Sequence, residues 1–178
     1  LGQALGKPLV AVPTLDAMAY HIFGSRSLVC PLMDARRNQV YTGIYRNETE
    51  FQVIKKSCAI AMEELLEELN AMGEPVIFLG DGVPVYRSII EEEMQVSYGF
   101  APAQMNRQRA SCVAVLGMTA LLDAGSSGRG TGAGGYRGAR LVGAADFAPD
   151  YLRKPQAERQ REAELSAKGA AAKLPGDY

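Results

Sequence analysis

The chain has 178 residues, 47% hydrophobic and 22% charged, which are the proportions of an ordinary globular protein. Its 19 basic and 20 acidic side chains give a formal net charge of −1, which excludes a broad positive field for holding nucleic acid non-specifically. At this length about 68–70% of the unfolded surface can be buried, enough for one good core or two small lobes.

The opening "LGQALGKPLVAV" reads as the end of one helix running into a short buried strand, "LVAV" (9–12), closed by Pro13. It predicts a chain that starts in the middle of a fold. Thr14 is placed to cap the next helix, with Leu15, Met18 and Ile22 as its apolar face and Gly24 as its stop. Strand candidates follow at 28–33, 39–46 and 51–60. The tight connection between the first two predicts an antiparallel hairpin, and the third extends it as a meander. Val40, Thr42 and Ile44 should face one side of the second strand, and Tyr41, Gly43 and Tyr45 the other.

"AMEELLEELNAMG" (61–73) is the clearest helix: Met62, Leu65, Leu66, Leu69 and Met72 recur at helical spacing, glutamates occupy the opposite side, and Gly73 caps it. "PVIFLGDGVPVYRSII" (75–90) gives an apolar strand, a Gly-Asp-Gly turn and a helix with Pro84 in its first turn. "QVSYGF" (95–100) is a further strand candidate. "RQRASCVAVLGMTALLDAG" (107–125) is a helix apolar almost all round, which Ala110, Ala114 and Gly117 should let approach another element closely. Its uncharged run, 110–122, falls short of the roughly 20 residues of a membrane span and predicts a buried helix instead.

"GSSGRGTGAGGYRG" (125–138) is half glycine and predicts a flexible insertion. It lacks the G-x-x-x-x-G-K-[ST] order of a phosphate-binding loop. The tail "YLRKPQAERQREAELSAK" (151–168) carries five basic and three acidic residues and reads as a solvated helix or arm. Contact of Arg129, Arg137, Arg140 and this tail with a nucleic acid is left open.

Chemistry-bearing groups are few. Cys30, Cys58 and Cys112 lie far apart with no C-x-x-C pair, which suits a reducing cytoplasm. The lone histidine, His21, is too little for a site needing two imidazoles. Two strand ends could meet a ligand. At "MDARRNQ" (33–39), Asp34 and Arg36 could tie the hairpin together, contact a partner or take part in a site. At "FLGDGVP" (78–84), Gly80 and Gly82 would allow close backbone approach and a helix N-terminus offers donors to an anion. Asp81 there would act as an N-cap and discourage phosphate.

Taken together, "ALGKPLVAVPTLDAMAY", "CPLMDARRNQVYTGIYR", "MEELLEEL", "PVIFLGDGVPVY" and "YLRKPQAERQRE" resemble, in order, the TsaB (YeaZ) family of tRNA threonylcarbamoyladenosine biosynthesis proteins. The resemblance spans nearly all of 1–165 except the Gly-rich insertion. It implies an α/β fold: the RNase H-like lobe of an actin-like ATPase (ASKHA) fold, in which a three-stranded antiparallel meander is continued by parallel strands with helices on the faces. The first lobe would be largely missing, with 1–25 its end, 26–125 the second lobe, 126–145 the Gly-rich insertion and 146–178 a C-terminal segment and tail.

In such folds an Asp-x-Gly loop commonly takes phosphate and a strand–Gly-Gly–helix commonly contacts adenosine. The corresponding places here are Asp34-Ala35-Arg36 and Gly80-Asp81-Gly82, so a guanidinium and a carboxylate stand where nucleotide would dock. The implied role is therefore a non-catalytic subunit with no cofactor of its own. It would bind and activate a TsaD-like catalytic subunit together with a TsaE-like ATPase and meet tRNA through that complex. ATP and any divalent metal would belong to the partner subunits. A homodimer is left open, and no membrane association is expected. The alternative is a stand-alone ATP-dependent transferase or peptidase of the same superfamily.

Overall fold

Side-chain alternation along one strand organises the protein. In β2 (Ser25–Asp34), Leu28, Cys30 and Leu32 enter one core cluster while Val29 enters another on the opposite side. This computed structural model describes residues 2–125, 136 and 138–152. The chain divides into two compact units, Leu1–Ala148 and Pro149–Tyr178. Pro149–Leu152 are the described part of the second unit, and every helix and strand described belongs to the first.

Strand β2 lies at the centre of a five-stranded sheet ordered β4-β3-β2-β5-β6, in which β3 is Gln39–Asn47, β4 Gln52–Ala61, β5 Val76–Leu79 and β6 Tyr98–Phe100. Pairs β2–β3 and β3–β4 are antiparallel, whereas β2–β5 and β5–β6 are parallel. The expected meander continued by parallel strands is thus the observed topology. Both faces of the sheet are covered, as a parallel core requires.

One face is covered by α3 (Met62–Met72) and α4 (Val83–Glu93). Helix α3 buries Met62, Leu65, Leu66 and Leu69 and ends at Gly73 in the left-handed conformation, φ +70°, as its spacing predicts. Its partners in the first cluster include Val40 and Ile44 of β3, Phe78 of β5 and Val83, Tyr86 and Ile90 of α4. Tyr41 and Tyr45 of β3 belong to the opposite cluster, so the predicted alternation of that strand holds.

The other face receives α2 (Thr14–Ala19), which buries Leu15, Ala17, Met18 and Ala19. Thr14 is the first residue of this helix rather than its cap. Pro13 holds the capping position, and its ring, which has no polar side-chain atom, makes no cap hydrogen bond. The helix passes at Tyr20–Ile22 into a single 3-10 turn instead of running on to Gly24. A two-stranded antiparallel ladder joins β1 (Leu9–Ala11) to β7 (Arg140–Val142). A short helix, α1 (Gly2–Leu5), precedes β1.

Helix α5 (Ala110–Gly125) departs from the sequence expectation of a fully buried helix. Leu116 and Ala120 are buried, but Met118 is 63% exposed and Val115, Leu121 and Leu122 are also exposed. Gly117 does face β1, with Val10 and Val12 side chains 3.7–3.9 Å from where a Cβ would stand. Ala110 and Ala114 instead lie on the open side. Among the described elements, α5 is covered on one side only, by α2, β1 and β7. The Gly-rich insertion and the tail fall outside the described residues, apart from positions 125, 136 and 138–152.

Candidate functional site

The two strand ends singled out in the sequence meet in space. Strands β2 and β5 run parallel with Pro31 opposite Leu79, so Asp34, the last residue of β2, and Gly80, just past β5, lie at the same end of the sheet. The turns are stitched together where the Gly82 amide donates to the Leu32 carbonyl at 3.0 Å.

That approach explains the glycines. Gly80 has φ +113°, and a Cβ there would stand 2.1 Å from the Leu32 carbonyl oxygen. A Cβ on Gly82 would meet the same oxygen at 3.1 Å. Both residues are buried, and the close neighbour that excludes a side chain is the backbone of β2. The Gly80 amide is also occupied, donating to Asn106 Oδ1 at 3.0 Å. Asp81 is exposed and does not cap α4; Gly82 takes that position with no side-chain cap. The expectation of an Asp81 cap fails because the preceding Gly80 conformation points residue 81 outward, one position too early to reach the first helical amides.

The β2–β3 turn has an unusual backbone. Arg36, Arg37 and Asn38 are consecutive non-glycine residues with φ of +65°, +56° and +58°. Left-handed conformation disfavours side-chain-bearing residues by about 1–2 kcal/mol each, least for Asn. Backbone and side-chain hydrogen bonds hold the turn. The Ala35 amide donates to Gln39 O at 2.9 Å, and the Gln39 amide to Arg36 O at 3.2 Å. The Met62 amide at the start of α3 donates to Asn38 O at 3.1 Å, and Asn38 Nδ2 donates to Glu63.

Asp34 anchors the turn through hydrogen bonds more than through an ion pair with Arg36. Its Oδ1 accepts the Arg36 amide at 2.8 Å and the Tyr86 hydroxyl at 3.2 Å. The same hydroxyl reaches Gln39 O at 3.1 Å. The Arg36 guanidinium sits 3.7 Å away from Oδ2, and its side chain is 87% exposed, so the charge pair is solvent-screened and contributes little. The tie is the backbone amide and Tyr86, whose phenol pKa is raised by burial and then by the Asp34 bond.

The turn and the outward face of α4 border an open cleft of about 430 Å³, lined by Arg36, Arg37, Asn38, Val85, Ser88 and Ile89 together with Asp34 and Tyr86.

A second polar cluster, not anticipated from sequence, lies across the sheet. Asp16 of α2 is 3% exposed, and its carboxylate accepts the Tyr45 hydroxyl at 2.8 Å and the Tyr136 hydroxyl at 2.7 Å. Burial raises its pKa, and the two phenol bonds oppose that rise. Tyr136 also packs edge-on against Phe51. Residue 136 falls inside the Gly-rich run, whose composition hid it.

The remaining reactive groups are quiet. His21 Nδ1 contacts Met105 O at 3.3 Å, and burial lowers the imidazole pKa, keeping it neutral at pH 7. Burial pushes the Cys30 thiol up to about 12 and raises Cys58 and Cys112 too, so none is an activated thiolate. Among the described residues no group of His, Cys, Asp and Glu could hold a metal ion, and no helix is long and apolar enough to cross a membrane. Of the basic residues considered for tRNA, Arg140 lies exposed on β7, while Arg129 and Arg137 are outside the described residues.

Comparison with known proteins places the chain. A family model described as "TsaD: tRNA N6-adenosine threonylcarbamoyltransferase" matches residues 1–160. The tRNA threonylcarbamoyladenosine biosynthesis protein TsaB of Bacillus subtilis is 32% identical over 119 residues, which are 66% of this chain and 52% of that protein. The structure of YeaZ from Pseudomonas aeruginosa superposes with a TM-score of 0.56 at 21% identity, covering 85% of this chain and 62% of that one. A crystal structure of a protein similar to peptidase YEAZ, from the same organism, gives 0.57 at 20% identity with the same coverage. These two likenesses concern the fold, which is of the actin-like, RNase H-like kind. The chain spans about half the length of the curated relative it matches.

Proposed function

We propose, from the premise that this chain belongs to the TsaD (tRNA N6-adenosine threonylcarbamoyltransferase) family and is similar to its TsaB (YeaZ) members, that it serves tRNA threonylcarbamoyladenosine biosynthesis as a non-catalytic subunit. In this reading it binds a TsaD-like catalytic subunit in the cytoplasm, acts with a TsaE-like ATPase, and meets tRNA through the assembled complex. It holds no nucleotide of its own, and ATP with its metal belongs to the partners.

One observation carries the non-catalytic part. A nucleotide in this fold needs free backbone amides at the two turns. Here the Arg36 amide is taken by Asp34 Oδ1, the Gly80 amide by Asn106 Oδ1 and the Gly82 amide by Leu32 O. The residues present therefore do not fit a phosphate chain without breaking three internal hydrogen bonds.

The test is co-purification of the complete protein with its TsaD-like partner at low salt, which should yield a stable complex, together with an ATP-turnover assay on the protein alone. Failure to associate counts against the subunit reading. Robust turnover by the isolated protein, lost on Asp34→Ala, would establish the alternative of a stand-alone ATP-dependent transferase, which the transferase description of the matching family keeps in view.

A further inference from the structure

We infer that the cleft between the left-handed Arg36–Asn38 turn and the outer face of α4 binds a small organic anion, a phosphate or carboxylate bearing a short apolar arm. Such binding is independent of the subunit reading. Asp34 follows Leu28, Cys30 and Leu32 at even spacing, so the cleft lies on the α3–α4 side of the sheet. That is the face opposite α2 and α5.

Three features define the ligand. The first is available positive charge. Asp34 Oδ2 lies 3.7 Å from the Arg36 guanidinium and offsets part of its charge, but that guanidinium is largely exposed and free to turn toward a ligand. Arg37 forms no ion pair within 4.0 Å among the described residues. A guanidinium meets an oxyanion in a two-pronged fork, so this pair suits a phosphate or carboxylate head.

The second is the opposite wall, where Val85 is 59% exposed and Ile89 is half-buried, with Ser88 also in the lining. An anion alone would leave this wall uncovered, whereas a short apolar arm would bury it. The cleft's roughly 430 Å³ suits a ligand of that size.

The third is the surrounding charge. Helix α4 ends in Glu91, Glu92 and Glu93, and α3 opens with Glu63 and Glu64. A nucleic-acid backbone crossing the cleft would run its further phosphates past these carboxylates. A single small anion can meet the two arginines, with Asp34 as the one acidic residue of the lining. The backbone conformation points the same way, because strain of this kind gathers where a ligand is gripped.

The test is titration of the isotope-labelled full chain with phenyl phosphate, with inorganic phosphate as comparison, followed by amide shifts. Saturable shifts should be confined to residues 35–39 and 85–89, and phenyl phosphate should bind about threefold more tightly through its ring. Arg37→Gly keeps the left-handed turn and should weaken binding about tenfold. Arg37→Lys, which keeps the charge but loses the fork, should also weaken it and serves if the glycine variant unfolds. Arg26→Ala, at the other end of β2, should change nothing. Absence of saturable shifts up to about 10 mM overturns the inference. So does unchanged binding by both Arg37 variants, or tighter binding of an oligonucleotide through the same amides.

Discussion

The Tyr136 hydroxyl donates a 2.7 Å hydrogen bond to Oδ2 of Asp16, a residue 120 positions earlier in the chain. Tyr45 serves the other carboxylate oxygen, so α2, β3 and the segment leading to β7 converge on one buried acid. Tyr136→Phe should remove one of two charge-assisted bonds and destabilise the fold by about 1.5–3 kcal/mol in urea unfolding. Loss below about 0.5 kcal/mol would mean the phenol is not held by Asp16 in solution.

Asp16 also sets a pH dependence. Burial raises its folded-state pKa above the ordinary 3.8 of the unfolded chain. A folded state that binds the proton more tightly loses stability as pH rises through the window between those two values, and is level above it. Stability curves across that window should therefore show a falling contribution with rising pH that Asp16→Asn abolishes. An unchanged slope in the variant assigns the dependence elsewhere.

Two glycines with positive φ should respond very differently to alanine. Gly73 has open space around its missing Cβ, so Gly73→Ala should cost about 1 kcal/mol, the penalty of a left-handed alanine. Gly80→Ala must push against the Leu32 backbone at 2.1 Å and should cost on the order of 3–5 kcal/mol. Thermal unfolding of the two variants side by side reads the difference.

The Arg36–Asn38 turn predicts the reverse sign. Arg37→Gly should hold or raise the melting temperature by relieving left-handed strain, offset in part by the freer unfolded chain. Arg37→Val, β-branched at φ +56°, should lose about 1–2 kcal/mol. Equal melting temperatures for the two would show that the turn has another conformation in solution.

Tyr86→Phe removes the hydroxyl that bridges Asp34 Oδ1 and Gln39 O. A loss of about 1 kcal/mol is expected, with faster amide exchange confined to residues 35–39. Exchange that is unaltered there would show that Tyr86 does not secure the turn.

The framework is legible in the sequence because its periodicities are unambiguous. The meander, helix α3 with its Gly73 cap, and the strand–GDG–helix unit all carry local signals. Sequence and structure part where two residues compete for one local role. Pro13 displaces Thr14 from the cap of α2, and Gly82 displaces Asp81 from that of α4. Gly80 and Gly82 stand out in the sequence, but not for the neighbour they have: the close approach is to Leu32, and nothing in their own segment reveals what lies opposite. Asp34 and Arg36 are visible as an odd pair, whereas Tyr86 and Asn106, which decide how those turns are satisfied, are 52 and 26 positions from their partners. Asp16, Tyr45 and Tyr136 share no motif at all.

The pairing of β1 with β7 has a consequence for synthesis. On the ribosome, the meander and its parallel extension can close once the strand at Tyr98–Phe100 has emerged. Among the described residues the partner of Leu9–Ala11 is Arg140–Val142, so that ladder can form only after the later strand follows. Until then the backbone groups that β7 will satisfy are without that ladder, which ties completion of this sheet to the last third of the sequence.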